Sequence, residues 1–186
     1  MVNHTKITIY HLETHDPADL RPSRRAPTVP VQVSRLDVVL PEYSRFLYTA
    51  VGGDWYWRDR LTWGYERWQA YLERPEHETW IAYVHGAPAG YTELEKEPNG
   101  SVEIAYFGLL PQFIGAGLGG YLLTHAIRRS WQLDARRVWV HTCSLDHPSA
   151  LANYQARGLR IYKQETKLEV LPDQPLGPWP GAMVVS

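Results

Sequence analysis

The sequence is short of several residue types, and each shortage excludes a class of protein. Its 186 residues include one cysteine, Cys143, so no internal disulfide can form and a reducing, cytoplasmic location is expected. Nineteen basic and 20 acidic side chains give a net charge of -1, and no basic run would follow a nucleic-acid backbone. No apolar run approaches the length of a membrane span, and the N-terminal residues are too polar for a signal peptide. Neither nucleic acid nor a membrane is therefore an expected partner.

The hydrophobic content of 44% is enough for one core and low for two, so residues 1–186 are expected to form one domain. Residues 14–40 contain a loop insertion rich in proline and arginine, and residues 172–186 have the composition of an irregular tail. Arg21, Arg24 and Arg25 lie in the insertion. A solvated loop is favoured there over contact with an anion.

Hydrophobic periodicity predicts the elements of secondary structure. Strands are expected at residues 6–12, 78–85, 89–94, 102–110, 137–142 and 159–170, with a short extended piece within 31–40. Helices are expected at residues 41–51, 60–72 and 146–157, and directly after a glycine-rich turn at 115–120. Asp146 and His147 are expected to cap the last helix, and residues 86–88 to form a tight turn. An antiparallel meander followed by β-α-β-α-β gives an α/β fold, a mixed sheet with helices on both faces.

The glycine-rich turn carries the functional signal. Gly115, Gly117, Gly119 and Gly120 let a ligand approach the backbone, and the unpaired first-turn N–H groups of the next helix suit a phosphate or pyrophosphate. A P-loop is excluded because Tyr121, not a Lys-Ser/Thr pair, follows the last glycine. A dinucleotide fingerprint would follow the first strand of a βαβ unit, and this turn lies past the middle of the chain. A tight strand-to-helix connection without a ligand remains the alternative.

Residues 102–165 resemble the GNAT superfamily of acetyl-CoA-dependent N-acetyltransferases. The strand match is Glu103-Ile104 followed by Phe107, and the turn match is Gly117-x-Gly119 before Leu122-Leu123. In this frame Ile114 stands where the family has Gln or Arg, so the backbone must bind the pyrophosphate; a frame two residues earlier spaces the helix wrongly. The resemblance implies a GNAT-like fold and an acetyl-CoA site formed by Phe107, Leu109, Ile114, Gly115, Ala116, Gly117, Leu118, Gly119, Gly120, His147 and Tyr154.

Two residues are candidates for proton transfer. Glu103 lies in an apolar strand, where desolvation would raise its pKa and suit it to accept a proton directly or through water. The resemblance implies that Glu103 is the general base, and that Tyr154, in a segment similar to the family's Ala-x-x-x-Tyr-x-x-x-Gly-Phe, protonates the coenzyme A sulfur. The alternatives are a structural carboxylate and a core tyrosine. His147 stands where many family members have Asn.

His141, Cys143 and His147 lie close together but fit no common zinc spacing and lack a fourth ligand, so no metal is expected. Cys143 as an acyl-enzyme nucleophile beside His141 is an alternative to a buried structural thiol.

The expected acceptor site is aromatic. Trp55, Tyr56, Trp57 and Trp63 lie among acidic residues, which favours an amine on an aromatic body, although some of these rings must be core. The predicted function is transfer of the acetyl group of acetyl-CoA to a primary amine of a small molecule. An acetyl-CoA-binding sensory module without turnover and a protein N-terminal or lysine acetyltransferase are the alternatives, and a homodimer is left open.

Overall fold

The computed structural model describes residues 4–177, and all of its strands belong to one seven-stranded mixed sheet. The strands are β1 His4–Thr14, β2 Gln32–Arg35, β3 His77–Val84, β4 Ala87–Lys96, β5 Ser101–Leu109, β6 Arg137–Cys143 and β7 Arg160–Val170. The α-helices are α1 Pro41–Gly52, α2 Tyr65–Leu72, α3 Leu118–Gln132 and α4 Ala150–Ala156. The sheet order is β2-β3-β4-β5-β6-β1-β7, and β5–β6 is its parallel pair. Residues 172–177 are neither helix nor strand, and the rest of the predicted tail lies outside the described residues.

Helices cover both faces of the sheet, as predicted. Alternation along the strands sends Leu94 and Ile104 to a core shared with α3 and α4, and sends Tyr91 and Ile81 to a core shared with α1. Each core is closed by apolar helix residues, such as Leu123 of α3 on one face. The mixed α/β class follows directly from this arrangement.

The position of β1 in the sheet was not predicted from the sequence. The first strand lies between β6 and β7 and is antiparallel to both, with Leu12 opposite Val140 of β6. The local hydrophobic pattern of a segment indicates that it forms a strand, but it does not indicate which strand it pairs with. That choice depends on residues far away in the chain. The C-terminal strand β7 therefore forms an edge of the sheet and is largely exposed.

Three local predictions were wrong. Helix α2 begins at Tyr65 rather than at residue 60, because residues 58–63 form turns that bury Arg60. Helix α4 begins at Ala150, and Asp146 accepts from Thr142 Oγ1 (2.6 Å) and the Cys143 amide (2.9 Å), so it fixes the preceding turn instead of capping the helix. The β3–β4 turn is at residues 85–86, both with positive φ, and β4 begins at Ala87.

The proline- and arginine-rich insertion is largely exposed, but hydrogen bonds hold it against the rest of the structure. It contains a 3₁₀ turn at Pro17–Asp19 and strand β2, and residues 21–28, called the strap below, pack along α3 and α4. The Arg21 amide donates to the Arg157 carbonyl (3.1 Å), and the Thr28 amide to the Ala116 carbonyl (3.2 Å). Hydrogen bonds to the rest of the structure therefore hold in place a segment that has too few apolar residues to pack on its own.

Candidate active site

The site begins where two neighbouring strands separate. The parallel ladder joins Ser101–Glu103 of β5 to Arg137–Trp139 of β6, and beyond it the two strands diverge. On the other side of β5, a bulge leaves Ala105 unpaired between Ile104 and Tyr106. The resulting cleft has a volume of about 1230 Å³ and is lined by both strands beyond their last paired residues. It is larger than a typical pocket for one small molecule and suits a long ligand.

One end of the cleft is formed by the glycine-rich turn and the start of α3. Gly115 and Gly117 have φ of +90° and +83°, conformations that side chains strain. At Gly119 a Cβ atom would meet no other atom closer than 3.7 Å, so that space belongs to the cleft. The first amides of α3 have no intrahelical partner and lie at the positive end of a 15-residue helix. This end of the cleft can bind an anion.

Most of the predicted cofactor residues line this cleft. They are Phe107, Leu109, Ile114, Gly115, Gly117, Gly119, Gly120, His147 and Tyr154. The structure places Ala116 and Leu118 elsewhere: Leu118 is 1% exposed, and both pack in a small core with Val84 and Ala89. Their side chains point inward because the turn and the first helical residues alternate between the cleft and the core.

Tyr154 borders the middle of the cleft from α4. Its side chain is 5% exposed and its ring meets the edge of Phe107 at 6.0 Å between centroids. Burial, and to a lesser degree the Asp146 carboxylate, raise the pKa of Tyr154 well above its ordinary value. The hydroxyl therefore keeps its proton at neutral pH and is available as a hydrogen-bond donor in the cleft.

Glu103 does not line the cleft; it reaches the cleft through a histidine. His141 Nδ1 lies 3.2 Å from Glu103 Oε1, and the His141 ring lines the cleft. The hydrogen bond to Glu103 raises the pKa of His141, whose side chain is 51% exposed. If Nδ1 donates to Glu103, Nε2 is the nitrogen left to accept a proton. The pair thus forms an oriented proton acceptor at the cleft wall.

From the sequence, His141 was a candidate only beside Cys143, and its pairing with Glu103 was not predicted. A signal for it was present, because Glu103 is opposite Trp139 in the parallel ladder and His141 is two residues further on the same face.

The opposite end of the cleft is aromatic and charged. Trp55, Tyr56 and Trp57, called the cleft rings below, line it together with charged side chains that follow them in the chain and with charged side chains of β7: Arg58, Asp59, Lys167 and Glu169. Arg58 Nη2 lies 3.0 Å from Glu169 Oε2, and Lys167 also pairs with Glu169. Trp55 meets His147 edge-on at 5.2 Å. The cleft therefore ends in a surface that combines ring faces with charges of both signs.

Trp63 is not among the cleft-lining residues. It belongs to an aromatic cage around Arg60, formed by Trp63, Trp68, Tyr71 and Tyr106 at 4.0 to 5.5 Å from the guanidinium carbon. Arg60 is 5% exposed and pairs at 2.7 Å with Glu93, which is fully buried. Of the cage rings, Tyr106 alone also lines the cleft. The Arg60 guanidinium therefore already occupies the cation–π site that these aromatic residues had suggested for the acceptor amine.

Cys143 also lines the cleft, but burial raises the pKa of its thiol, which lowers its thiolate content. The thiol therefore has little of the character needed for an acyl-enzyme nucleophile.

Over residues 4–177, no group of three or more His, Cys, Asp or Glu is arranged to bind a metal ion. In the same residues no helix is both long and apolar enough to cross a membrane.

The fold is therefore a mixed α/β sheet whose parallel pair separates into a ligand-sized cleft with a glycine turn at its mouth. Residues 44–159 match the model of the acetyltransferase (GNAT) family. The chain belongs to this family, and its GNAT fold is as the sequence resemblance implied.

Solved structures with this fold share little sequence with the chain. A GCN5-related N-acetyltransferase from Kribbella flavida is 18% identical, with a TM-score of 0.62 over 87% of this chain and 59% of its own. A GNAT-family acetyltransferase from Novosphingobium aromaticivorans is 16% identical, with a TM-score of 0.61 over 87% and 63%. An aminoglycoside acetyltransferase from an uncultured soil sample is 16% identical, with a TM-score of 0.55 over 68% and 86%.

Several similar structures are longer than this chain, which spans 54% to 62% of three of them. No curated protein sequence matches the chain significantly.

Proposed function

We propose that the chain transfers the acetyl group of acetyl-CoA to the primary amine of a small molecule. The observation that carries this proposal is the single cleft that connects the glycine turn, the gap between β5 and β6, and the aromatic, charged end. A long ligand with a pyrophosphate and, further along, a reactive thioester would place both groups beside chemically suitable residues. Acetyl-CoA is such a ligand, and the family supports it.

The amides of residues 115–120 bind the pyrophosphate, and the pantetheine arm enters the gap between the strands beside Phe107. Leu109 and Ile114 provide apolar contact along this path, and His147 borders it near α4. Ala116 and Leu118 act by holding the turn against the core rather than by touching the ligand.

Proton transfer follows the Glu103–His141 pair. The acceptor amine attacks the thioester carbonyl carbon, a C–N bond forms and the C–S bond breaks. His141 Nε2 takes the proton of the amine, and Glu103 orients the ring and stabilises the charge that it acquires, so Glu103 acts as base through His141. Tyr154 gives its proton to the departing thiolate. Preorganised acid and base groups of this kind each contribute about 10²- to 10⁴-fold in rate.

The acceptor lies against the cleft rings. Trp55, Tyr56 and Trp57 favour an amine with an aromatic or apolar body, and Asp59 provides a negative charge at the same end. An aromatic amino acid or an arylalkylamine remains our first choice. The similarity to a structure named as an aminoglycoside acetyltransferase supports a small-molecule acceptor in general.

The test is turnover with an amine panel. The full chain and acetyl-CoA are mixed with aromatic amines, aliphatic polyamines, aminoglycosides and a lysine peptide, and thiol release and product mass are measured together. We expect thiol release matched by an acetylated amine, greatest for an aromatic amine. Tyr154→Phe should lower kcat about 10²-fold while acetyl-CoA affinity is retained.

Two results would contradict the proposal. Binding of acetyl-CoA without thiol release for any amine would make the chain a sensory module, an alternative that the apolar Ile114 at the cleft favours. Efficient acetylation of the peptide alone would make it a protein acetyltransferase.

A further inference from the structure

The glycine-turn end of the cleft has a concentration of positive charge. Arg21, Arg24 and Arg25 of the strap and Arg157 at the end of α4 line it. Within residues 4–177, none of these four arginines is in an ion pair with a carboxylate. The acidic residues that line the cleft belong to the turn after β6 or to the opposite end: Asp146, Asp59 and Glu169. This end therefore has four cationic side chains whose charge the described part of the protein leaves uncompensated.

The strap is held in place over the turn. The Ser23 amide donates to Thr124 Oγ1 of α3 (3.0 Å), and Arg25 Nη2 donates to the Gly115 carbonyl (3.0 Å). Together with the backbone bonds at Arg21 and Thr28, these contacts fix both ends and the middle of the segment. The arginine side chains of the strap are exposed, but the backbone that carries them is held beside the glycine turn.

Arg157 approaches the same place from the other side. A Cβ atom at Gly120 would collide with Arg157 Nη1 and lie 2.8 Å from Ser23 Oγ, so the strap, α4 and the first turn of α3 meet at Gly120. Arg157 Nε is buried and has no partner among the described groups. Leaving a buried donor without a partner is unfavourable, so Arg157 would gain a partner by turning its guanidinium onto an anionic ligand in the cleft.

We propose that the strap arginines and Arg157 form a phosphate subsite for coenzyme A beyond the amides of the glycine turn. The inference rests on the proposed function, in which acetyl-CoA occupies the cleft. Arginine binds phosphate in a charge-assisted, often bidentate manner. The subsite supplies the side-chain contact that Ile114 cannot make. Arg21, Arg24 and Arg25 lie outside residues 44–159, which match the family, whereas Arg157 lies within them.

The experiment measures affinity for ligands that differ in their number of phosphates. The full chain is titrated calorimetrically with acetyl-CoA, 3′-dephospho-acetyl-CoA and S-acetylpantetheine, for wild type, Arg24→Gln, Arg25→Gln and Arg157→Gln. Arg128→Gln, an exposed arginine on α3 away from the cleft, is the matched control. Thermal unfolding checks that each variant is folded.

We expect acetyl-CoA affinity to fall about tenfold in at least two of the three variants, the loss typical of one charge-assisted contact. Affinity for S-acetylpantetheine and the affinities of Arg128→Gln should stay unchanged. A loss confined to acetyl-CoA assigns the 3′-phosphate to the subsite, and a loss shared with the dephospho ligand assigns the pyrophosphate.

An equal loss for all three ligands, or no loss in any variant of a chain that binds acetyl-CoA, would overturn the subsite and leave the proposed function intact. A wild-type chain that binds none of the three ligands would instead remove the proposed function.

Discussion

The cleft rings and three of the four cage rings come from one aromatic-rich stretch, but the two groups differ in what occupies the space between the rings. In the cage, four rings surround Arg60, and its charge is balanced by the buried Glu93. At the cleft, Trp55 and Tyr56 face a space that the chain leaves free. Both regions have aromatic faces that can attract a cation. In the cage, that cation is Arg60, and the cluster contributes to stability. At the cleft, the aromatic faces are available to a ligand.

Trp57 connects the two regions. Its ring lies 4.9 Å from Tyr106 of the cage and 5.5 Å from Tyr48 of α1, while another part of it lines the cleft. A Cβ atom at Gly52 would collide with this ring, so α1 requires a glycine there. Changes in the cage can therefore reach the cleft through Trp57.

The largest expected effect is in the cage. Glu93→Ala leaves the Arg60 charge buried without its partner, which should lower the free energy of unfolding by about 3–5 kcal/mol. Urea denaturation measures this loss. Arg67→Ala is the control, because Arg67 stacks on the same Trp63 ring at 4.5 Å but is exposed, and it should cost less than about 1 kcal/mol. Equal costs for the two variants would show that the cage is not a buried charge cluster.

The next effect is catalytic and leaves stability nearly unchanged. His141→Gln should lower kcat/KM about 10²-fold, since it removes the proton acceptor at the cleft wall. His15→Gln, at an exposed histidine paired with Glu13 on the surface, is the control and should behave like wild type.

The pH dependence distinguishes the roles of Glu103 and His141. We expect activity to rise with pH as His141 loses its proton, and the hydrogen bond to Glu103 holds the pKa of His141 above its ordinary value. Glu103→Gln removes that negative charge, so the acidic limb of kcat/KM should move to lower pH while the plateau falls. An acidic limb that disappears in Glu103→Gln but stays in place in His141→Gln would make Glu103 the direct base.

A smaller effect is expected at the glycine turn. Gly119→Val places a branched side chain in cleft space without a clash at its Cβ, so the protein should fold and lose about tenfold in acetyl-CoA affinity by steric exclusion. Calorimetry measures the affinity and thermal unfolding checks the fold. Unchanged affinity would remove the pyrophosphate from this turn.

The smallest effect on stability is expected at Trp55. Trp55→Ala should cost less than about 1 kcal/mol, while the KM of the acceptor rises several-fold and that of acetyl-CoA stays fixed. Trp57→Ala is the contrasting variant, and its contacts with Tyr48 and Tyr106 predict a loss of about 3–5 kcal/mol. Similar losses of stability in both would make the cleft rings ordinary core.

Elements whose signals are local could be predicted from the sequence. The meander, the glycine turn and its helix follow from periodicity and turn residues within a few positions. The place of β1 could not be predicted, because its pairing with β6 joins residues more than a hundred positions apart. The roles of Trp55 and Trp63 could not be separated either, since the difference depends on Glu93, which lies 33 positions from Arg60.

Within the site, the sequence indicated which residues carry chemistry but not how they connect. Glu103 was selected for its place in an apolar strand, yet it reaches the cleft only through His141. The strap arginines were assigned to solvent because a polar, proline-rich segment carries no packing signal of its own. Its hydrogen bonds to α3 and α4 are set by tertiary structure.

The comparison of the two aromatic regions is tested most directly by ¹⁹F NMR of the chain labelled with 5-fluorotryptophan. Resonances are assigned by single Trp→Phe variants and followed during titration with acetyl-CoA and then with an aromatic amine. We predict that Trp55 and Trp57 shift on binding while Trp63 and Trp68 of the cage keep their positions. Shifts at Trp63 and Trp68 with none at Trp55 and Trp57 would contradict the division between a cleft that binds ligand and a cage filled by Arg60.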